Sequence, residues 1–169
     1  MAAVTITQWS GPGLLSCIKS TDAAPIDLIA NSLKLMLVKS TFNFTPDLQY
    51  VDNAADDASD PSFCECDFTN YVGGFEGAGR KAATVTSLLY DATDNRLELV
   101  IQNETWSAAG GTTDNDIGAI LLIKEGTDDT DSQAIGCIAL NNVFSTNGGD
   151  AVLDIDDGDG CLRLSLPES

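Results

Sequence analysis

The sequence predicts an all-β fold, an antiparallel sandwich or barrel with an extended N-terminal arm. Three observations lead there. Apolar or alternating runs form about seven to nine short segments spaced roughly 8–12 residues apart, each bounded by Gly, Pro, Asn or Asp turn signals. No stretch longer than about two turns carries helical periodicity with caps. No fixed-period repeat is present, which disfavours a solenoid or a propeller. With 169 residues, 43% of them apolar, one domain with an ample core is expected.

Residues 1–25 read as the arm and 26–169 as the β-domain. In the arm, Val4, Ile6, Trp9, Leu14, Leu15 and Ile18 are scattered around Gly11-Pro12-Gly13 and Ala23-Ala24-Pro25. Val4 and Ile6 alternate as in a strand, and Gly-Pro-Gly then breaks the pattern. An indole is costly to leave in water, so Trp9 is expected to pack on this subunit's core or on a neighbour. The arm is thus a candidate inter-subunit strap. Residues 26–32 suit a short helix or a turn.

The first body strand is Leu33-Lys34-Leu35-Met36-Leu37-Val38. Leu33, Leu35 and Leu37 share one face and Lys34, Met36 and Val38 the other, which predicts a strand covered on one side. Residues 52–62 are acidic and breaker-rich, an exposed loop. An aromatic cluster (Phe63, Phe68, Tyr71, Phe75) runs into Gly-rich sequence. Residues 83–90 and 96–101 predict a hairpin around Asp91–Asn95, with Leu97, Leu99 and Ile101 inward. Trp106 precedes a small-polar loop over 107–116. The run from Ile117 to Ile123 is the most hydrophobic segment and fits a central strand buried on both faces. Ala134–Leu140 is a further strand. Ala151–Ile155 and Cys161–Leu166 predict a closing hairpin. Leu35, Leu37, Leu99, Ile120 and Leu122 are expected in the core.

Charge narrows the function. Asp plus Glu number 26 against 8 Lys plus Arg, for a net charge of −18, and there is no His. Nucleic-acid backbones need clustered cations, so no nucleic-acid partner is expected. A histidine base, a His-containing zinc site and a Ser-His-Asp triad are excluded. No run approaches the ~18 apolar residues of a membrane span, and no signal-peptide pattern opens the chain. The apolar content argues against a disordered acidic tail.

The motifs carry little chemistry. Five Cys at irregular spacing (Cys17, Cys64, Cys66, Cys137, Cys161) do not form a secreted disulfide framework, and reduced core thiols are expected. Cys64-Glu65-Cys66 lacks the second ligand pair of a metal site. Asp154–Gly160 departs from the EF-hand pattern at its Gly, at position five and at position twelve, and reads as a turn. Gly74 and Gly79 have P-loop spacing, but Arg80 stands where Lys belongs and Ala82 where Ser or Thr would bind magnesium. A glycosidase needs two paired carboxylates in a cleft; only Glu98 and Glu104 lie near strand ends with aromatic company, and nothing pairs them. No catalytic, cofactor or metal residues are therefore expected. Arg80 and Lys81, adjacent cations in an acidic chain, are candidates for an inter-subunit salt bridge.

Several segments in order resemble a known group. They are Leu33–Ser40 running on to Phe44-Thr45-Pro46-Asp47, Tyr71–Lys81, Asp91–Arg96, Trp106-Ser107-Ala108, Ile117–Gly126 with Asp128-Asp129, Asn147-Gly148-Gly149 and Gly160–Leu164. Across residues 26–166 the set is similar to small β-rich virion proteins of tailed bacteriophages. The resemblance implies a jelly-roll-like β-sandwich body and a non-enzymatic structural role. It points to a capsid decoration (cement) protein on the outer head surface, trimeric and bound to the major capsid protein. A tail or head–tail connector component is the alternative within that class, and a carbohydrate- or host-binding module the alternative outside it. Exposed Trp106 and Tyr71 would favour the last. The candidate contact residues are Val4, Ile6, Trp9, Leu14, Leu15, Arg80 and Lys81.

Overall fold

The computed structural model describes residues 4–12, 26–29, 33–93, 96–110, 116–154 and 162–165. Among them run ten strands: β1 (Val4–Trp9), β2 (Leu33–Lys39), β3 (Lys81–Ala83), β4 (Val85–Asp91), β5 (Arg96–Ile101), β6 (Glu104–Ala109), β7 (Asp116–Lys124), β8 (Gln133–Ser145), β9 (Gly149–Leu153) and β10 (Leu162–Ser165). Every pairing is antiparallel. The sheets have the orders β1-β8-β7-β2-β3, β10-β5-β4 and β6-β9. The fold is all-β, as the short alternating runs predict.

β7 forms the centre of the largest sheet, between β8 and β2. Its uninterrupted apolar run suits that place, because both faces are covered. Ile117, Ile120 and Leu122 enter one apolar cluster, and Ala119, Leu121 and Ile123 enter another. The switch in parity between Ile117 and Ala119 coincides with a bulge against β8. Gly118 lies at that bulge, and a Cβ there would come within 2.6 Å of the Ser40 backbone. Glycine is needed for this close approach rather than for its torsions.

The first cluster joins all three sheets. Leu33, Leu35, Leu37, Ile135 and Ile138 come from the five-stranded sheet, Leu99 and Ile101 from β5, and Trp106, Ala109, Ala151 and Leu153 from the β6-β9 pair. The five residues expected in the core are all buried, none more than 3% exposed.

Three expectations differ from the structure. β2 is covered on both sides, not one: Met36 and Val38 are fully buried with Val51, and Phe42 and Phe44 pack over them. The chain after β2 folds back across its second face, which alternation within the strand does not reveal. β9 and β10 do not pair as a hairpin; β9 pairs with β6 and β10 with β5. The register sets Leu162 opposite Leu99 and Leu164 opposite Leu97. Residues 104–109 are a strand, extending into what reads as a loop. Within the N-terminal arm, the alternating stretch Val4–Trp9 forms strand β1. It pairs along β8, from Val4 opposite Leu140 to Trp9 opposite Gly136. Ser10 follows, buried, its hydroxyl donating to the Leu48 carbonyl, and the Gly11 N–H donates to Pro46 O at 2.7 Å. Leu14 and Leu15 lie outside the described residues.

The acidic loop over residues 52–62 is exposed except at its end. Asp60 is fully buried and its carboxylate accepts from the Ser62 N–H at 2.9 Å and the Ser62 hydroxyl at 2.8 Å. The β7–β8 turn is held similarly: Asp131 accepts from the Thr127 and Asp128 N–H groups, at 2.6 and 3.0 Å. The bond from the Asp128 N–H, with that from the Thr127 hydroxyl at 2.8 Å, holds the Asp131 carboxyl below the usual carboxylate range.

Candidate functional site

The Gly-rich stretch before β3 wraps one buried cation. Arg80 has no exposed side-chain surface. Its Nε and Nη2 donate to the two oxygens of Glu65 at 2.9 and 2.7 Å, and Nη1 and Nη2 donate to those of Asp129 at 2.6 and 2.9 Å. The guanidinium is thus bidentate to two carboxylates at once, the geometry its planar fork favours. Glu125 lies 3.7 Å away and is itself paired with Lys34 at 2.9 Å. Glu65 also accepts from the Tyr71 hydroxyl at 2.9 Å and the Gly74 N–H at 2.8 Å, and the Tyr71 oxygen accepts from the Leu37 N–H at 3.1 Å.

Local sequence explains the wrap. Gly79 stacks against the Tyr71 ring so closely that a Cβ would sit 2.8 Å from it. The Gly79 carbonyl accepts from the Trp106 indole at 2.7 Å. The resemblance to a phosphate cradle is resolved by the same bonds. β3 follows the glycines instead of a helix, and the Gly74 N–H takes the chain's own Glu65 carboxylate.

This cluster is a clamp. Burial opposes the charge on Arg80, yet the bonds to Glu65 and Asp129 outweigh it and hold the guanidinium protonated even more firmly than usual. Burial pushes the Tyr71 phenol far above its ordinary range, and the Glu65 carboxylate adds to the effect. Neither group exchanges a proton near neutrality. Together they tie residues 65–80 to the β7–β8 turn and to β2. A cleft of about 430 Å³ opens over Glu65, Asp67, Tyr71 and Asp129. Its carboxylates face Arg80 and, for Asp67, Lys39 at 3.4 Å.

Arg80, expected as an inter-subunit contact, has no exposed side-chain surface and is paired with carboxylates of its own chain, which offset the cost of desolvating the guanidinium. Lys81 points the other way along the strand. It is partly exposed, with Nζ 3.8 Å from Glu104 and 5.9 Å from the Trp106 ring centroid. Glu98 and Glu104 lie in different sheets, each beside its own cation: Glu98 is buried against Arg96 at 2.6 Å, and Glu104 lies 3.8 Å from Lys81. Trp106 and Tyr71 are 4% and 5% exposed, so neither presents a ring as a sugar platform.

Cys64, Cys66 and Cys137 are buried and outside any disulfide, and among the described residues no group of three or more potential ligands could hold a metal. Cys17 and Cys161 lie outside the described residues, as does most of the Asp154–Gly160 turn. Burial pushes the Cys66 and Cys137 thiols up to about 12. At pH 8 these two are expected to resist iodoacetamide in the folded protein and to react on addition of denaturant, as peptide mass mapping would read. Rapid native labelling of either would contradict their placement.

The surface holds a feature that the sequence reading passed over. On β4, Leu88, Leu89 and Tyr90 are 42%, 53% and 56% exposed. β4 is at the edge of its sheet. The signal was three consecutive large apolar residues in a strand without Lys or Pro. The clamp had a fainter one, Glu65 set directly between two Cys.

Comparison with protein-family models, with characterised proteins and with solved structures finds no match to this chain.

Proposed function

We propose that this chain is a non-enzymatic structural protein of a tailed-phage virion, a capsid decoration protein that bridges major capsid subunits on the outside of the head. One observation carries the reading beside the resemblance across residues 26–166. The buried charged groups at the Gly-rich loop are spent on one another, whereas apolar side chains stand exposed on a sheet edge. Chemistry is directed inward and association outward.

In this reading the five-stranded sheet and the two smaller ones form a β-sandwich of jelly-roll kind around the first apolar cluster. Each copy adds a modest contact free energy, multiplied over the shell by symmetry and avidity. The acidic loops keep particles apart and confine contact to surfaces of low charge. The contact candidates are the sheet edges, β1 with Trp9 among them, the segment holding Leu14 and Leu15, and Lys81.

Quantitative mass spectrometry of purified virions tests it. On the order of hundreds of copies, lost from tails and retained on heads, is the expected result for a shell component. A stoichiometry of about six or twelve would overturn decoration in favour of a connector or tail ring.

A further inference from the structure

We propose that β4 is an interface between two copies of this chain, paired edge to edge about a two-fold axis at Leu88. The proposal is independent of the virion reading and starts from the strand. β4 pairs with β5 on one side, with Leu88 opposite Leu99 and Tyr90 opposite Leu97. Opposed residues share a face of the sheet. Leu99 is fully buried in the first cluster, whereas Leu88 beside it is 42% exposed. The core face thus runs on past its cover by one strand. On the opposite face, Leu89 is 53% exposed. Beyond β4 no strand follows among the described residues.

Natural edges of this kind are protected by Lys, Pro, a bulge or a covering element. Residues 86–90 read Thr-Ser-Leu-Leu-Tyr, with neither Lys nor Pro. The single bulge is at the Val85 end, before the apolar residues.

Charge and symmetry select a second copy as the occupant. In a chain of net charge −18, β4 contains one acid, Asp91, and Arg96 lies 3.2 Å from it. An isologous contact requires a surface complementary to itself. Antiparallel pairing centred on Leu88 sets Leu88 against its own counterpart, Ser87 against Leu89, Thr86 against Tyr90 and Val85 against Asp91. Like charges never oppose each other, and the two Asp91 groups lie at opposite ends. Leu88 from both copies, flanked by both Tyr90 rings, makes one apolar row. The result is a six-stranded sheet, β10-β5-β4 continued by the same three strands of the second copy.

The register gives a sharp test on the full chain. Two Leu88→Cys side chains would meet across the axis within disulfide reach, whereas Ser87→Cys would face Leu89. Under mild oxidation, L88C is expected to yield cross-linked dimer at least about tenfold faster than S87C or the parent chain. In light scattering the parent chain is expected at twice its 17.7 kDa mass, and Leu88→Lys at the monomer mass with an unchanged circular-dichroism spectrum. Because two acidic bodies are brought together, dimerisation should tighten between low salt and about 0.5 M, beyond which little repulsion is left to screen. A parent chain that stays monomeric throughout would overturn the proposal. So would a trimer or dimer whose L88C does not cross-link faster than S87C, which would mean assembly through another face.

Discussion

Arg80→Met is expected to destabilise the fold by about 3–5 kcal/mol, the usual cost of removing one partner from a buried ion pair. The side chain is wholly buried and makes four donor contacts to Glu65 and Asp129. Met fills similar volume, so a cavity contributes little and the penalty comes from two carboxylates left without their cation. Urea denaturation would read it as a lower midpoint at unchanged slope. The diagnostic comparison is the triple variant R80M/E65Q/D129N. Removing both acidic charges should restore part of the loss, because amides tolerate burial without a cation. A triple variant less stable than R80M would show that the cluster's charge is not the origin of the effect. Arg80→Lys should fall between, since one ammonium cannot serve two carboxylates bidentately. Reversing charge at both Arg80 and Lys81 should unfold the chain rather than merely weaken assembly.

Ile120→Asp is expected to abolish soluble folding. Ile120 is 3% exposed on the central strand of the five-stranded sheet, opposite Leu37 on β2 and Ile138 on β8. A carboxyl there loses the transfer free energy of the isoleucine and is itself desolvated with no cation near. The combined cost approaches the about 5–15 kcal/mol that holds a whole domain. Ile120→Ala keeps the measurement accessible, with an expected loss of about 2–5 kcal/mol by thermal or urea unfolding. Recovery of soluble, cooperatively unfolding Ile120→Asp would mean that β7 is not the central strand.

These two residues mark what could be read in advance and what could not. Ile120 sits in a seven-residue apolar run, and such a run announces a buried central strand without reference to anything distant. Arg80 announces nothing. It follows a glycine and precedes a lysine, and in a chain with few cations it looks like surface. Its burial depends on Glu65, fifteen positions before it, and Asp129, forty-nine after, both brought in by the folding of loops. The exposure of Trp106 and Tyr71 is likewise open in the sequence, and their burial depends on the distant Gly79 carbonyl for one and on the Glu65 carboxylate for the other. The apolar edge of β4 was present as Leu88-Leu89-Tyr90, but its exposure follows from a sheet order that local pattern does not contain.

The sequence by itself determined the all-β class, most strand positions, the inward row of Leu35, Leu37, Leu99, Ile120 and Leu122, and the concentration of acid in turns. Each is a consequence of period-two alternation and turn chemistry, which act over a few residues. Beyond the β4–β5 hairpin, which local pattern already pairs, only the tertiary structure decided the strand partners. It set β10 beside β5, drew Val4–Trp9 into the large sheet, covered β2 on its second face and turned Arg80 into a clamp. The physical reason is that a strand's hydrogen bonds are satisfied equally well by any partner in register. The choice among partners falls to long-range burial and to the pairing of desolvated charges.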